Sequence, residues 1–538
     1  MLDSIRALPS YQRLLDDLHK PLALPGLALP RAARLPVLAA LQGDLNRPVL
    51  LITDRSDHAL TMLDELGFWE PKSARFLFPA PTPLFYEQAG WGNATRRDRL
   101  QVLASLAMYQ VPGWPRPETA PVIVTPVRAL MSRTLPRRDF IRYSKMLKAG
   151  QSVPPETLLR GWVETGYQPV DIVLEPGQFS RRGGILDVWP PAEPFPARLD
   201  FFGDEIDSIR RFDPASQRTI KNLDTLLVTP AREVLLSKLE GMELPGQDME
   251  EFYLPLAHTN PSSLLDYLPQ GAVVLVDDLD ALQVAANEIE EQAVKLRRDS
   301  IAEGVLPADF PLPYLTFSEI QDSLESHHAL ELGRSTSEEV SELASCFEPG
   351  PRFGGRLKHL IDYLVERCPQ AERIVIVSRQ VSRLKELWYE RRVDCTQVPD
   401  FIEGSLSEGW ILSLPGGQQL HLLTDSEIFG WERPQPRQRH RPAAEAPESS
   451  YADFKSGDWV VHIDYGIGRY VGLVQRRLEG STREFLVVEY EGGDQVFVPV
   501  YQADRLSRYI GPDGEPPTPT RLGTQEWNND KQRVKNAV

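Results

Sequence analysis

Few side chains in this sequence are placed to do chemistry, and the first to weigh are two carboxylates. Asp277 and Asp278 end the apolar run Val273-Val274-Leu275-Val276, where a nucleotide-hydrolysing protein would hold magnesium; a buried strand ending in solvated acids is the commoner arrangement. The nine histidines form no Ser/His/Asp or Cys/His grouping, and the adjacent His327-His328 lacks the spacing of a zinc site. Cys346, Cys368 and Cys395 make neither a Cys-x-x-Cys pair nor an even disulfide set, so they read as packing residues of a reducing compartment. The expectation is no catalytic residue, no metal and no cofactor held by this chain, which turns attention to recognition.

Two blocks carry recognition chemistry. One is Arg181-Arg182-Gly183-Gly184-Ile185-Leu186-Asp187-Val188-Trp189-Pro190, leading to Arg198-Leu199-Asp200-Phe201-Phe202-Gly203-Asp204-Glu205-Ile206-Asp207. The other is Gly457-Asp458-Trp459-Val460-Val461-His462, followed by Tyr465-Gly466-Ile467-Gly468-Arg469-Tyr470-Val471-Gly472. Alternation in the second puts Val460, His462 and Asp464 on one side of a strand and Val461 and Ile463 on the other, while Gly466, Gly468 and Gly472 permit sharp turns. Residues 484–490 and 496–500, joined by Glu491-Gly492-Gly493-Asp494, read as a hairpin. Short strands spaced by such turns predict a small twisted barrel, whose closure leaves few free edges.

The elements that must position these blocks belong to several domains, because 538 residues exceed what one core usually holds. A formal net charge of -17 repels a phosphate backbone overall, so any nucleic-acid contact must be local and a DNA-coating protein is disfavoured. No apolar run approaches the roughly 20 residues that span a bilayer, and Met1 to Arg6 lacks a signal pattern, so no membrane contact and a cytoplasmic location are expected. Residues 1–143 read as α/β, with a strand at 48–53, a helix at 56–66 carrying Ser56 as N-cap, a strand at 121–125 and a helix at 127–132. Such units belong in a parallel sheet. Residues 144–230 read as an α+β insert, with a helix at 155–165 and strands at 185–188 and 197–202.

A buried strand at 272–277 and a charged helix at 281–298 resume the first domain over residues 231–345. A small α/β domain follows at 346–430, with a strand at 373–378 and a helix at 380–390. Residues 431–453, rich in Pro, Arg, Gln and Ala, read as a flexible linker whose Arg433, Arg437, Arg439, His440 and Arg441 could touch nucleic acid but fit a solvated tether better. The barrel occupies 454–523, and 524–538 begin a helix.

Residues 456–508 resemble the RNA polymerase interaction module shared by CarD-type regulators and transcription-repair coupling factors of the Mfd type. The Arg181 to Asp207 block resembles UvrB and recurs in the same coupling factors. With both on one chain, the sequence is similar to the N-terminal half of that family over most of residues 1–523, most weakly between 235 and 350. The resemblance implies a multidomain α/β chain: a degenerate UvrB-like parallel-sheet domain with a UvrA-binding α+β insert, a further small α/β domain, and a C-terminal CarD/Tudor-like β-barrel.

It also implies partners. In the family the insert recruits UvrA, and the matching positions are Arg182, Arg198 and Phe202, two forked guanidinium groups beside an aromatic ring, a composition suited to an interface. Alternatively Phe202 lies in a core and the arginines pair with Asp200, Asp204 or Glu205, and the two arrangements can coexist. An early strand of the polymerase-binding module, here 473–478, adds to a sheet of the polymerase β subunit, making Val474, Arg476 and Leu478 the contact positions. Arg476, flanked by Gln475 and Arg477, stands where the family often has an aliphatic residue. Either Leu478 supplies the apolar anchor, or Arg476 pairs with an acidic partner residue; the alternative is a solvated edge arginine that discourages aggregation.

A UvrB-like domain ought to hold a Walker A loop, in which glycines let backbone cradle phosphate and a lysine neutralises it. Counting back without gaps from Asn46-Arg47-Pro48 places that site on residues 28–35, with Ala28, Arg31, Ala33, Arg34 and Leu35 in a degenerate loop stiffened by Pro30. Around Phe85-Tyr86-Glu87-Gln88 there is no long tyrosine-rich hairpin of the kind with which UvrB grips damaged DNA. The resulting expectation is a non-enzymatic adaptor for transcription-coupled nucleotide excision repair. ATP, magnesium and most double-stranded DNA contact would belong to the family's translocase motor, whose leading helix 524–538 resembles. A stand-alone CarD-like regulator and a UvrB-like NTPase or helicase are the alternatives.

Overall fold

The computed structural model describes residues 1–20, 23–114, 116–241, 250–333, 341–367, 372–390, 398–431, 456–462, 466–478, 481–499 and 506–508. Contacts divide the chain into two compact units, one made by Met1–Asp213 with Gln217–Arg439 and the other by Pro214–Ser216 with His440–Val538. The linker at 431–453 lies outside the described residues except Trp431, as do the start of a helix at 524–538 and two of the cysteines, Cys368 and Cys395.

Along the first unit the strands are β1 (Val49–Thr53), β2 (Arg75–Leu77), β3 (Val122–Pro126), β4 (Lys145–Lys148), β5 (Gln168–Pro169), β6 (Gln178–Arg182), β7 (Ile185–Val188), β8 (Ala197–Phe202), β9 (Glu205–Phe212), β10 (Thr219–Leu223) and β11 (Thr225–Val228). They continue as β12 (Val273–Val276), β13 (Leu330–Glu331), β14 (Phe347–Pro349), β15 (Arg373–Ser378), β16 (Asp400–Glu403), β17 (Trp410–Ser413) and β18 (Gln419–Thr424). The second unit holds β19 (Trp459–His462), β20 (Gly466–Leu478), β21 (Ser481–Glu489), β22 (Gln495–Pro499) and β23 (Leu506–Arg508). The chain is thus mixed α/β, with one parallel sheet and four further sheets among the described residues.

The parallel sheet runs β13-β12-β1-β3-β2, with Val49 opposite both Val122 and Val273. Its central strands bury every residue, as expected where helices cover both faces. Leu50, Ile52, Ile123 and Val274 point to the helices Asn93–Ala107 and Leu279–Ala302, while Val49, Leu51, Val124 and Leu275 point to Arg31–Leu45 and Ser56–Trp69. The helix after β1 is capped differently from the sequence expectation. Arg55 is the N-cap and Ser56 the first helical residue, and the Asp54 carboxylate takes the Arg55 N–H at 2.8 Å and meets His58 Nδ1 at 2.6 Å. Asp278 likewise caps the Leu279–Ala302 helix, accepting from the Ala281 N–H, so this helix starts two residues before the expected 281.

The insert forms a six-stranded sheet, β10-β9-β8-β7-β6-β5, and β4 pairs separately with β11. One face buries Phe179, Leu186, Val188, Leu199 and Ile209 against Leu158 and Trp162 of the helix Pro155–Glu164. The small sheet, β14-β17-β18-β15-β16, has a core of its own on one face, where Ile374, Ile376 and Leu423 meet Leu360, Leu364 and Leu384, and shares the other. Val375, Val377, Trp410, Leu412 and Leu422 join the cluster that packs Arg31–Leu45 and Ser56–Trp69, and Trp410 stacks on Trp69 with ring centres 6.5 Å apart.

Where the chain leaves the insert, buried ions fasten it to the parallel-sheet domain. Arg99 of the Asn93–Ala107 helix forks onto Glu233 at 2.6 and 2.9 Å, and neither side chain has any solvent exposure. The remaining Arg99 nitrogen donates to Ser132 and to the Pro79 carbonyl, and its plane lies over Phe78 and Trp91. Arg96 and Arg232 share the buried Glu251 beside it. Removing one partner of such a pair leaves an uncompensated buried charge. Glu233→Ala is therefore expected to lower unfolding free energy by about 3–5 kcal/mol in a denaturant titration, whereas Arg99→Met with Glu233→Leu costs much less; equal losses would contradict this account.

In the second unit the order is β22-β21-β20-β19-β23, all antiparallel. Among the described residues no pairing closes β22 onto β23. Gly492 and Gly493, both at φ +86°, make the expected turn before β22. Gly468 plays a different part from the expected turn: a side chain there would stand 2.5 Å from Val488, so its lack of one permits close strand packing.

Candidate docking sites

The outward face of the insert sheet is built around one acid. Asp187 alternates with the buried Leu186 and Val188 on β7, so its side chain turns to the face opposite the core, yet it is 1 % exposed. Arg198, directly opposite on β8, forks onto it at 2.7 and 2.9 Å, and Arg182 at the end of β6 reaches the same carboxylate at 2.6 Å. The hydrogen bond from Arg198 to Asp187 outweighs burial and pushes the guanidinium pKa still higher. Arg198 also lies 4.6 Å over the Phe212 ring and is 17 % exposed, while Arg182 is 50 % exposed. Asp200 pairs with Arg210 and Ser208 instead.

Two tight turns finish this edge. Gly183 and Gly203, each at φ +61°, let β6–β7 and β8–β9 reverse through two residues, and the Phe201 N–H donates to Gly184 across the adjoining tips. Phe202 stands at the second tip with 84 % of its surface exposed. The sequence alternative that put Phe202 in a core and paired the arginines with Asp200, Asp204 or Glu205 is overturned: the ring is outside and both arginines share Asp187. A lone acid among inward-facing aliphatics, opposite an arginine, was the signal in the sequence that could have revealed Asp187.

At residues 28–35 there is no loop of phosphate-cradling shape. Leu27 and Leu29 donate backbone N–H groups to Glu331 and Leu332, Pro30 starts the Arg31–Leu45 helix, and Ala33 and Leu35 are buried in the core. Ala28 takes a positive φ of +52°. Arg34 turns back to bond the Leu29 carbonyl at 3.3 Å and pairs with Asp277 at 2.9 Å, both side chains being 14 % exposed. The acids after β12 are partly solvated and already engaged: Asp277 has an arginine and Asp278 caps a helix. The cleft between Arg31, Arg34, His58, Glu65 and Asp277 measures about 30 Å³, room for a few water molecules and well below a ligand pocket. Among the described residues no group of His, Cys, Asp and Glu is placed to hold a metal, and no helix is long and apolar enough to cross a membrane.

In the second unit β20 is paired with β19 only through Gly466 to Arg469, whereas β21 follows it to Leu478. Beyond Tyr470, its edge away from β21 therefore has no strand against it among the described residues. Val471, Leu473 and Val474 on this stretch are 39, 44 and 36 % exposed. The backbone of Arg476 and Leu478 lies opposite Arg483 and Ser481, while their side chains lie outside the described residues.

Comparison with known proteins fits these two surfaces. A family model for the UvrB interaction domain matches residues 146–234, and one for the CarD-like/TRCF RID domain matches residues 454–510. The transcription-repair-coupling factor of Bacillus subtilis (strain 168) is 26 % identical over 593 residues, covering 99 % of this chain and 49 % of that protein. That of Myxococcus xanthus is 28 % identical over 599 residues, covering 98 and 48 %, and that of Staphylococcus aureus (strain MRSA252) 22 % over 561, covering 94 and 47 %. The chain spans about half the length of these curated relatives. It carries a UvrB interaction domain and a CarD-like/TRCF RID domain, and is similar along nearly its whole length to the N-terminal half of the transcription-repair-coupling factors.

Proposed function

We propose that this chain is the coupling adaptor of transcription-coupled nucleotide excision repair, acting in the cytoplasm: it docks on the β subunit of a stalled RNA polymerase and recruits UvrA. The observation that carries the proposal is Phe202, a large apolar ring held 84 % exposed at a tight hairpin tip beside the half-exposed Arg182. An exposed ring beside an arginine on a rigid turn has the composition of the few anchor residues that dominate binding energy at interfaces. Arg198 works from behind, holding Asp187 and through it Arg182 in place. In the polymerase-binding module, the open edge of β20 with exposed Leu473 and Val474 suits addition of a strand from the partner, and the sheet is a CarD/Tudor-like one in this reading.

The parallel-sheet domain is, on the same reading, UvrB-like but without fuel. Arg34 holds the acid that would hold magnesium, and its side chain fills space a phosphate needs. ATP-driven displacement of polymerase along double-stranded DNA would rest with a translocase motor such as the resemblance implies, which residues 1–523 do not supply.

Phe202→Ala removes only exposed surface, so it is expected to leave the thermal midpoint unchanged while weakening UvrA capture by about 2 kcal/mol, roughly thirtyfold in Kd by calorimetry. Undiminished affinity would sink the UvrA assignment and leave a polymerase-binding regulator. Leu478→Asp should abolish capture of the polymerase β subunit without altering the melting curve; retained binding would move the contact along β20. Titration of magnesium-ATP into the purified chain is expected to give no saturable heat and no phosphate release with DNA present. Nucleotide ordered beside Arg34 would overturn the adaptor reading in favour of an NTPase.

A further inference from the structure

We propose that the helix Arg137–Tyr143 and the strand after it form a docking surface for the phosphate backbone of double-stranded nucleic acid. Arg137, Arg138, Arg142 and Lys145 are all exposed within nine residues, in a chain whose formal charge is -17. Arg138 and Arg142 are one helical turn apart and so share a face. This inference stands independently of the UvrA and polymerase assignments.

What distinguishes the patch from an ordinary solvated face is the fate of the neighbouring acids. Asp139 is the single acid within the run, and it faces the buried His258, 3.7 Å from its Nδ1. Glu164 accepts from the Tyr143 and Ser237 hydroxyls, and Asp266 from the Ser263 N–H and hydroxyl. Each acid is thus engaged by an imidazole, a hydroxyl or backbone. Among the described residues none of the four cations forms an ion pair with a carboxylate; Arg137 donates to the Asp266 carbonyl and Arg142 lies 5.8 Å over the Tyr143 ring. Elsewhere on this surface exposed arginines do find acids, as Arg55 finds Asp57 and Arg181 finds Glu156. Burial lowers the His258 pKa against the pull of Asp139, and Lys238 nearby is a further exposed cation.

The patch has an edge. Past Lys148, residues 150–153 bond to the β9 start, with Gly150 and Val153 donating to Ile206 and Asp204, and there Asp204, Glu205, Asp207 and Asp224 turn the surface acidic. Guanidinium groups fork onto phosphate oxygens, and a row of them that no neighbouring acid pairs with is the footprint of backbone binding. A single-stranded ligand would want aromatic faces on which bases stack; the nearest, Tyr143, is half-buried and tied to Glu164. A duplex, recognised by charge alone, fits better.

The test uses the full chain and a fluorescent 30-base-pair duplex of arbitrary sequence, followed by anisotropy at 50 to 200 mM salt. Binding that falls steeply with salt is expected. Arg138→Ala with Arg142→Ala should weaken it about tenfold and flatten the slope of log affinity against log salt by about 2. Arg138→Lys with Arg142→Lys should keep the slope, which a merely structural role for the guanidinium groups would not. Arg437→Glu with Arg439→Glu, in the basic linker, should leave most of the affinity. No duplex binding at 50 mM salt, an unchanged slope in the double alanine variant, or loss confined to the linker variant would each overturn the proposal. So would tighter binding of single strands or of polyglutamate, the latter pointing to an acidic protein instead.

Discussion

A carboxylate sealed from water needs a cation sealed in with it, and the first unit is arranged around the place where Glu233 finds Arg99. Glu233 lies just after β11, at the point where the chain leaves the insert; Arg99 lies on a helix that covers the parallel sheet. The same guanidinium reaches Ser132 and the Pro79 carbonyl and lies against Phe78 and Trp91. The fork geometry of arginine lets one side chain fix several segments at once, which a lysine could not do. A misplaced insert would leave both charges without partners in a dry interior, so this ion pair helps fix how the insert joins its parent domain.

The same rule, met at two other acids, gives two opposite outcomes. At Asp187 a buried carboxylate draws two arginines onto the outer face of a sheet, and the hairpin tip next to them is free to present Phe202. The result is a surface organised before any partner arrives. At Asp277 the arginine comes from the Arg31–Leu45 helix and closes what would otherwise be a pocket at the ends of parallel strands. Ligands of open α/β sheets gather at that end of the strands, and here a side chain of the chain itself is gathered instead.

Much of this was legible in the sequence, for identifiable reasons. β1, β3, β12 and β15 are short apolar runs bounded by polar residues, and each appears within a residue of where the runs predict it. The glycine pair 492–493 marked a turn because positive φ is cheap only without a Cβ. Less legible were partnerships across long separations. Nothing near Arg99 in the chain announces Glu233; for Arg182 and Arg198 it was strand pairing that hid the partner, since the alternative reading named Asp200, Asp204 or Glu205 and the acid both share is Asp187, five and eleven residues away. Ser56 looked like a cap because serine often is one, but Asp54, two residues earlier, takes the local donors. That Arg34 would bond the Leu29 carbonyl and pair with Asp277, 243 residues away, required the fold.

The stacked indoles of Trp69 and Trp410 carry a consequence for how the molecule can be divided. Their layer belongs equally to the parallel sheet's outer helices and to the small mixed sheet, and Ser407 adds hydrogen bonds to Glu65 alongside. Severing the chain between the two sheets would strip an oily wall from each fragment and leave it prone to clump. Topology counts two modules there, but heredity must treat them as one, because neither half could be traded into another protein without carrying its tryptophan along.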